Sequence, residues 1–137
     1  MKIRDVMSKD VQVANIGDTL QQAAARMASG DFGFLPVADG DALAGTITDR
    51  DIAVRAVALG KPVSTPVTEV MTTGATTVLD TDHLQSALDL MGGGQIRRLP
   101  VIDKHGKLVG VVSLGDLSTR VKEKYAGEAL ETISQPH

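Results

Sequence analysis

A seven-residue pattern occurs twice in this chain, as Gly45-Thr46-Ile47-Thr48-Asp49-Arg50-Asp51 and as Gly110-Val111-Val112-Ser113-Leu114-Gly115-Asp116. Each copy runs from a glycine through two strand formers to a hydroxyl residue, then two spacers, an aspartate and an apolar helix start. A hydroxyl three residues before a carboxylate supports two kinds of chemistry. As a capping box, the hydroxyl accepts from the N3 amide and the carboxylate accepts from the N-cap amide. As a ligand site, the hydroxyl donates to a phosphate oxygen beside the free N–H groups of a helix N-terminus. An ionised aspartate, an acceptor with two oxygens, then takes bonds from ligand hydroxyls. One copy alone fits the cap better; two copies, one per half, suggest a duplicated module whose paired sites could hold a ligand. The two roles are compatible.

A phosphate near a carboxylate needs cations. Ile96-Arg97-Arg98-Leu99-Pro100 supplies two adjacent arginines before a strand, and guanidinium geometry suits phosphate. The competing reading is a solvated strand edge or a dimer salt bridge. The first half departs at the matching place. Gly33-Phe34 stands where the second half has Arg97-Arg98, and Gly115 stands where the first half has Arg50. Two sites built on these halves cannot be equivalent. Asp49 has Leu114 as its counterpart and reads as helix N-terminal charge.

Other candidates lead nowhere. His83, His105 and His137 fall on a helix start, a hairpin turn and the chain end, without metal-ligand spacing. No nucleophile elbow or triad context surrounds any serine. Gly92-Gly93-Gly94 lacks the Lys-Ser/Thr of a phosphate loop and reads as a helix stop. The methionines sit at core-like positions, and Arg120, Lys122 and Lys124 read as a solvated face, with a dimer or partner contact as the alternative. The expectation is no metal site, no catalytic cofactor and no enzyme.

The elements that hold these residues are themselves duplicated. A shift of 64 residues matches Val6-Met7 with Val70-Met71, Leu20 with Leu84, Met27 with Met91, and Leu35-Pro36-Val37 with Leu99-Pro100-Val101. After one extra turn residue, a shift of 65 matches Leu43, Gly45, Thr48 and Asp51 with Leu108, Gly110, Ser113 and Asp116. Each repeat predicts a short strand (Val11–Val13, Thr76–Val78), then a helix. The helices carry apolar faces Leu20, Ala23, Ala24, Met27 and Leu84, Ala87, Leu88, Met91, stopped at Gly30 and at Gly92 to Gly94. A hairpin follows (Leu35–Ala38 with Ala42–Thr48; Leu99–Ile102 with Lys107–Val112). A closing helix spans Arg50–Leu59 or Gly115–Tyr125. The expected fold is α+β (α/β): two β-α-β-β-α repeats packed with pseudo-twofold symmetry. The expected organisation is repeat 1 over 1–61, a linker over 62–66, repeat 2 over 67–125 and a tail over 126–137.

Composition sets the outer limits. The chain has 137 residues, 42% hydrophobic and 23% charged, as in ordinary globular proteins. With Phe32, Phe34 and Tyr125 as its aromatics, its core must be aliphatic. It has no cysteine, so disulfides and thiolate metal sites are excluded and a reducing compartment is the simple reading. The net charge of −3 argues against general nucleic-acid binding. No apolar run approaches the roughly 20 residues that span a bilayer. The charged N-terminus lacks a secretory apolar region, so a cytoplasmic protein without membrane attachment is expected.

Val-Met at the head of each repeat, Leu-Pro-Val before the hairpin and Gly-x-x-[Thr/Ser]-x-x-Asp at its end resemble a tandem pair of CBS (cystathionine beta-synthase) domains, a Bateman module. The resemblance covers roughly residues 3–125, in order and twice. Thr48-Asp49-Arg50-Asp51-Ile52-Ala53 also resembles stand-alone bacterial CBS pairs of the hypoxic-response type. The resemblance implies a regulatory module that binds an adenosine compound (AMP, ADP, ATP, NAD or S-adenosylmethionine) in a cleft between repeats, a disc-shaped homodimer and an unknown protein target. It assigns Asp51 and Asp116 to ribose, and Thr48, Arg50, Arg97, Arg98 and Ser113 to phosphate. It places Gln12, Gly33, Phe34, Leu35, Thr76 and Leu99 near the base. One pocket would set Thr48, Arg50 and Asp51 against Thr76, Arg97, Arg98 and Leu99. The other would set Ser113 and Asp116 against Gln12, Gly33, Phe34 and Leu35. The alternative is a ligand-independent structural dimer in which both motifs are only helix caps.

Overall fold

The computed structural model describes residues 1–92 and 96–119. The expected tail, most of the last helix, Gly93-Gly94 and the cluster of Arg120, Lys122 and Lys124 lie outside the described residues.

The first repeat runs β1 (Ala14–Asn15), α1 (Leu20–Gly30), β2 (Phe34–Asp39), β3 (Ala42–Thr48), α2 (Asp49–Arg55). The second runs β4 (Val78–Leu79), α3 (Leu84–Met91), β5 (Arg98–Ile102), β6 (Leu108–Ser113), and residues 114–119 are helical. Each repeat makes one three-stranded sheet, in the orders β1-β2-β3 and β4-β5-β6. The first pair in each is parallel and the second antiparallel. The α+β duplication is thus present as the spacing predicts.

The registers are equivalent. Phe34 pairs with Thr48 and Val37 with Gly45, as Arg98 pairs with Ser113 and Val101 with Gly110. Each hairpin carries a bulge one step later, at Val37/Ala38 and Val101/Ile102. Leu35 faces Ile47, and both are fully buried.

Local chemistry sets the helix ends. Thr19 caps α1: its Oγ1 accepts from Gln22 N–H at 3.2 Å, and Gln22 Oε1 accepts from Thr19 N–H at 2.8 Å. The helix includes Gly30, and the left-handed cap falls on Asp31 (φ 54°). The Phe32 ring lies over Gly30 and leaves no room there for a side chain. Leu20, Ala23 and Met27 are buried, whereas Ala24 faces solvent, so the apolar face is narrower than its spacing suggests. Helix α2 is shorter than expected. The chain tightens into a 3-10 turn over Val57–Leu59, closed by Gly60 at φ 73°.

The first strand of each repeat begins later than the β-branched residues imply. Only Ala14 and Asn15 pair with β2, and only Val78 and Leu79 pair with β5. Val11 and Gln12 instead line a cleft.

The leading turns cross over. Val67 and Val70, which open the second half, are fully buried in the core built on Leu20, Met27, Leu35 and Ile47. Ile3 and Val6, which open the first half, are buried in the core built on Ala87, Met91, Leu99 and Val112. Burying each such valine or isoleucine contributes about 1.5–3 kcal/mol. Backbone rungs complete the exchange. Thr46 and Thr72 trade N–H···O bonds of 3.0 and 2.8 Å, and Ser8 and Val111 trade bonds of 2.9 and 3.0 Å. The 62–66 segment also packs: Thr65 and Val63 carbonyls accept from Leu20 and Gln21 N–H at the start of α1.

Candidate functional site

The crossed packing opens clefts between the halves, where the ends of β2 and β5 meet the exchanged segments. The larger encloses about 740 Å³. From the first half it is lined by Gly33, Phe34, Thr46, Thr48 and Asp49, and from the second by Ala75, Thr76, Ile96, Arg97, Arg98 and Leu99 among others. Thr48 ends β3 and caps α2. Its Oγ1 accepts from Asp51 N–H at 3.0 Å, which leaves its hydroxyl proton for an oxygen in the cleft. Arg97 and Arg98 are exposed, and among the described residues neither is ion-paired with a carboxylate. Leu99 is nearly fully buried and forms wall.

Two residues expected here do not line this cleft. Arg50 projects into solvent from the first turn of α2. Asp51 turns back on its own helix: Oδ2 accepts from Thr48 N–H at 3.0 Å, and Oδ1 lies 4.0 Å from the Arg55 guanidinium. The capping box is fully formed at this motif.

The smaller cleft, about 340 Å³, gathers Gln12, Phe34, Arg98, Ser113 and Asp116. Ser113 Oγ accepts from Asp116 N–H at 3.0 Å. Among the described residues, the Asp116 carboxylate returns no bond to Ser113 N–H, and it lines the cleft instead. Leu35 lines neither cleft, because its pairing with Ile47 turns it into the core. Gly33, expected beside Ser113 and Asp116, lies in the larger cleft, while Phe34 and Arg98 line both.

The two clefts differ in charge. The larger carries Arg97 and Arg98 against Asp49. The smaller carries Arg98 against Asp10, Asp31 and Asp116. Asp10 and Asp31 are not marked as cleft residues by the sequence. Asp10 and Asp31 belong to no repeated motif, and Asp49 was legible only as helix charge. Among the described residues, no group of three or more His, Cys, Asp or Glu side chains is placed to hold a metal ion.

Known proteins share this arrangement. The CBS domain family profile matches residues 3–57 and 67–123. The CBS domain-containing protein YhcV of Bacillus subtilis is 41% identical over 133 residues, covering 96% of this chain and 94% of that protein. Hypoxic response protein 1 of Mycobacterium tuberculosis is 33% identical over 135 residues, covering 97% of this chain and 94% of that one. A crystal structure of Hypoxic Response Protein I with two coordinated zinc ions superposes with a TM-score of 0.79 at 34% identity, over 87% of this chain and 98% of that one. The CBS domain pair of protein MJ0100, in complex with 5'-methylthioadenosine and S-adenosyl-L-methionine, superposes with a TM-score of 0.78 at 27% identity, over 90% and 98%. A duplicated β-α-β-β-α unit with its motifs in order, matched by that profile in both halves, leaves one conclusion: the chain belongs to the CBS domain family, as a tandem pair.

Proposed function

We propose that this protein is a non-catalytic regulatory module that binds an adenosine compound in the larger cleft and acts as a homodimer on a separate protein target. One observation carries the reading: Thr48 of one repeat and Thr76, Arg97 and Arg98 of the other line a single cleft of about 740 Å³, which is within the size range of small-molecule sites. The two guanidinium groups suit a phosphate. The Thr48 hydroxyl supplies one more donor. Thr76 and Leu99 form the wall against which the base would lie, and Phe34 offers a ring at the junction of the clefts. Asp51 serves first as a cap and lies outside the cleft lining, so a ribose hydroxyl would reach it only through Oδ1, the oxygen that Thr48 N–H does not engage. Ser113 and Asp116 hold a second, more acidic cleft, suited to a ligand of lower negative charge.

The adenosine class is supported by the MJ0100 pair, whose complex contains two such compounds. AMP, ADP, ATP, NAD and S-adenosylmethionine are the candidates. Because the cleft draws on both repeats, a ligand that prefers one relative angle of the halves shifts the population toward it. Val54, Val57, Leu59 and Val63 are 50–70% exposed on α2, the turn after it and the 62–66 segment, apolar side chains suited to contact with a second copy. No described helix is long and apolar enough to cross a membrane; action in the cytoplasm is part of the proposal.

The test is calorimetric titration of the purified protein with each candidate, together with mass spectrometry of any nucleotide released on denaturation. Binding of at least one, or its co-purification, supports the reading. No heat and no melting shift at millimolar ligand overturns it.

A further inference from the structure

We infer that Asp49 is the charge selector of the larger cleft, favouring an adenosine ligand with at most one phosphate over a polyphosphate. The inference rests on the reading of this cleft as the nucleotide site and deepens it.

Asp49 is tied into a corner of the cleft. Its N–H donates to the Gly33 carbonyl at 3.0 Å. Its Oδ1 accepts from Arg50 N–H at 2.8 Å. Its Oδ2 occupies the room that a side chain at Gly33 would need: a Cβ there would lie 2.5 Å from Oδ2 and 2.6 Å from Cγ. The absent side chain of Gly33 is therefore the seat of the carboxylate. The second repeat keeps the backbone bond but not the acid. Leu114 N–H donates to the Arg97 carbonyl at 2.7 Å, so the corner that holds Gly33 and Asp49 in one half holds Arg97 and Leu114 in the other.

The cleft thus carries two guanidinium groups and one carboxylate. Among the described residues, Asp49 is ion-paired with neither arginine, so its negative field acts on whatever enters. A single phosphate is matched by Arg97 and Arg98. Among the described residues the cleft offers no third cation, so each further phosphate adds charge that meets the Asp49 carboxylate, and like charges brought together in a cleft are costly. The Thr48 hydroxyl, the preceding residue, donates to phosphate and does not offset that repulsion.

Titration of wild type, Asp49→Asn and Asp49→Glu with AMP and with ATP tests this, with melting curves to confirm that each variant is folded. Wild type is expected to bind AMP more tightly than ATP, the gap narrowing as salt rises. Asp49→Asn should tighten ATP by about tenfold and shift AMP by less than about threefold, since one like-charge contact is removed. Asp49→Glu should keep the wild-type preference. If the AMP-to-ATP ratio is the same in wild type and Asp49→Asn, the selector role falls while the nucleotide site stands. If wild type and both variants bind neither compound, the selector role falls, and the site itself falls only if NAD, ADP and S-adenosylmethionine also fail to bind.

Discussion

Thr48 and Asp51 hold each other through two bonds: Thr48 Oγ1 accepts from Asp51 N–H, and Asp51 Oδ2 accepts from Thr48 N–H, each at 3.0 Å. This closed pair makes the stability role of Asp51 separable from any role in binding. Asp51→Ala should lower stability by about 1 kcal/mol, the usual worth of a cap. Asp51→Asn keeps a carbonyl oxygen to accept from Thr48 and should stay within about 0.5 kcal/mol of wild type. If Asp51 also takes a ribose hydroxyl, Asp51→Asn weakens nucleotide affinity without loss of melting temperature. An unchanged affinity would assign the motif to capping alone. Asp116→Ala should disturb the larger cleft less than Asp51→Ala does.

If Arg97 and Arg98 hold the phosphate as proposed, their loss separates phosphate recognition from base recognition. Both are exposed, so alanine at either should move stability by no more than about 0.5 kcal/mol. Loss of one charge-assisted bond should weaken AMP by about 10- to 100-fold. Adenosine, which has no phosphate, should be nearly unaffected. Paired titrations read the difference, and equal losses for AMP and adenosine would remove the arginines from the phosphate role.

The repeat, the hairpins and the apolar helix faces were legible because they are periodic or duplicated. The leading turns were not. Val6-Met7 and Val70-Met71 align in sequence, yet nothing in that alignment says that each packs on the other half. Periodicity reports that a face is buried, not against which core. The doubled glycines, Gly45 and Gly110, were the available signal, since each marks a close approach that only the structure identifies. The site was legible in part for the same reason. Thr48, Thr76, Arg97 and Arg98 line one cleft while Arg50 and Asp51 do not, and the orientation of the Asp51 carboxylate and the seat of Asp49 on Gly33 depend on side-chain geometry.

Asp103 ties the second hairpin turn and makes it pH-sensitive. Its Oδ1 accepts from Lys107 N–H at 3.0 Å and from His105 N–H at 2.9 Å. The Lys107 backbone bond chiefly holds its carboxyl below the ordinary value, desolvation works against this, and the His105 bond adds to the lowering. A depressed native value stabilises the fold fully above the ordinary carboxylate pKa of about 3.9 and is lost as pH falls through the native value. Melting temperatures of wild type and Asp103→Asn should therefore differ most near neutral pH and converge in acid. A gap that does not change with pH would contradict the assignment.

Gly45 and Gly110 test the exchange of leading turns directly. A Cβ at Gly45 would lie 2.5 Å from the Thr72 carbonyl oxygen. At Gly110 it would lie 2.7 Å from Met7 Sδ and 2.8 Å from the Ser8 carbonyl oxygen. Alanine at either position should destabilise by about 1–3 kcal/mol, as overpacking does. The two sites should respond differently to a second change. Met7→Ala removes the sulfur contact and should recover part of the loss in Gly110→Ala, leaving the Ser8 contact. Met71→Ala should recover little in Gly45→Ala, where the nearest obstacle is the backbone of Thr72. Denaturant melts of the four single variants and two doubles measure these couplings. Two glycine variants as stable as wild type would mean that the leading turns do not lie on β3 and β6 as described.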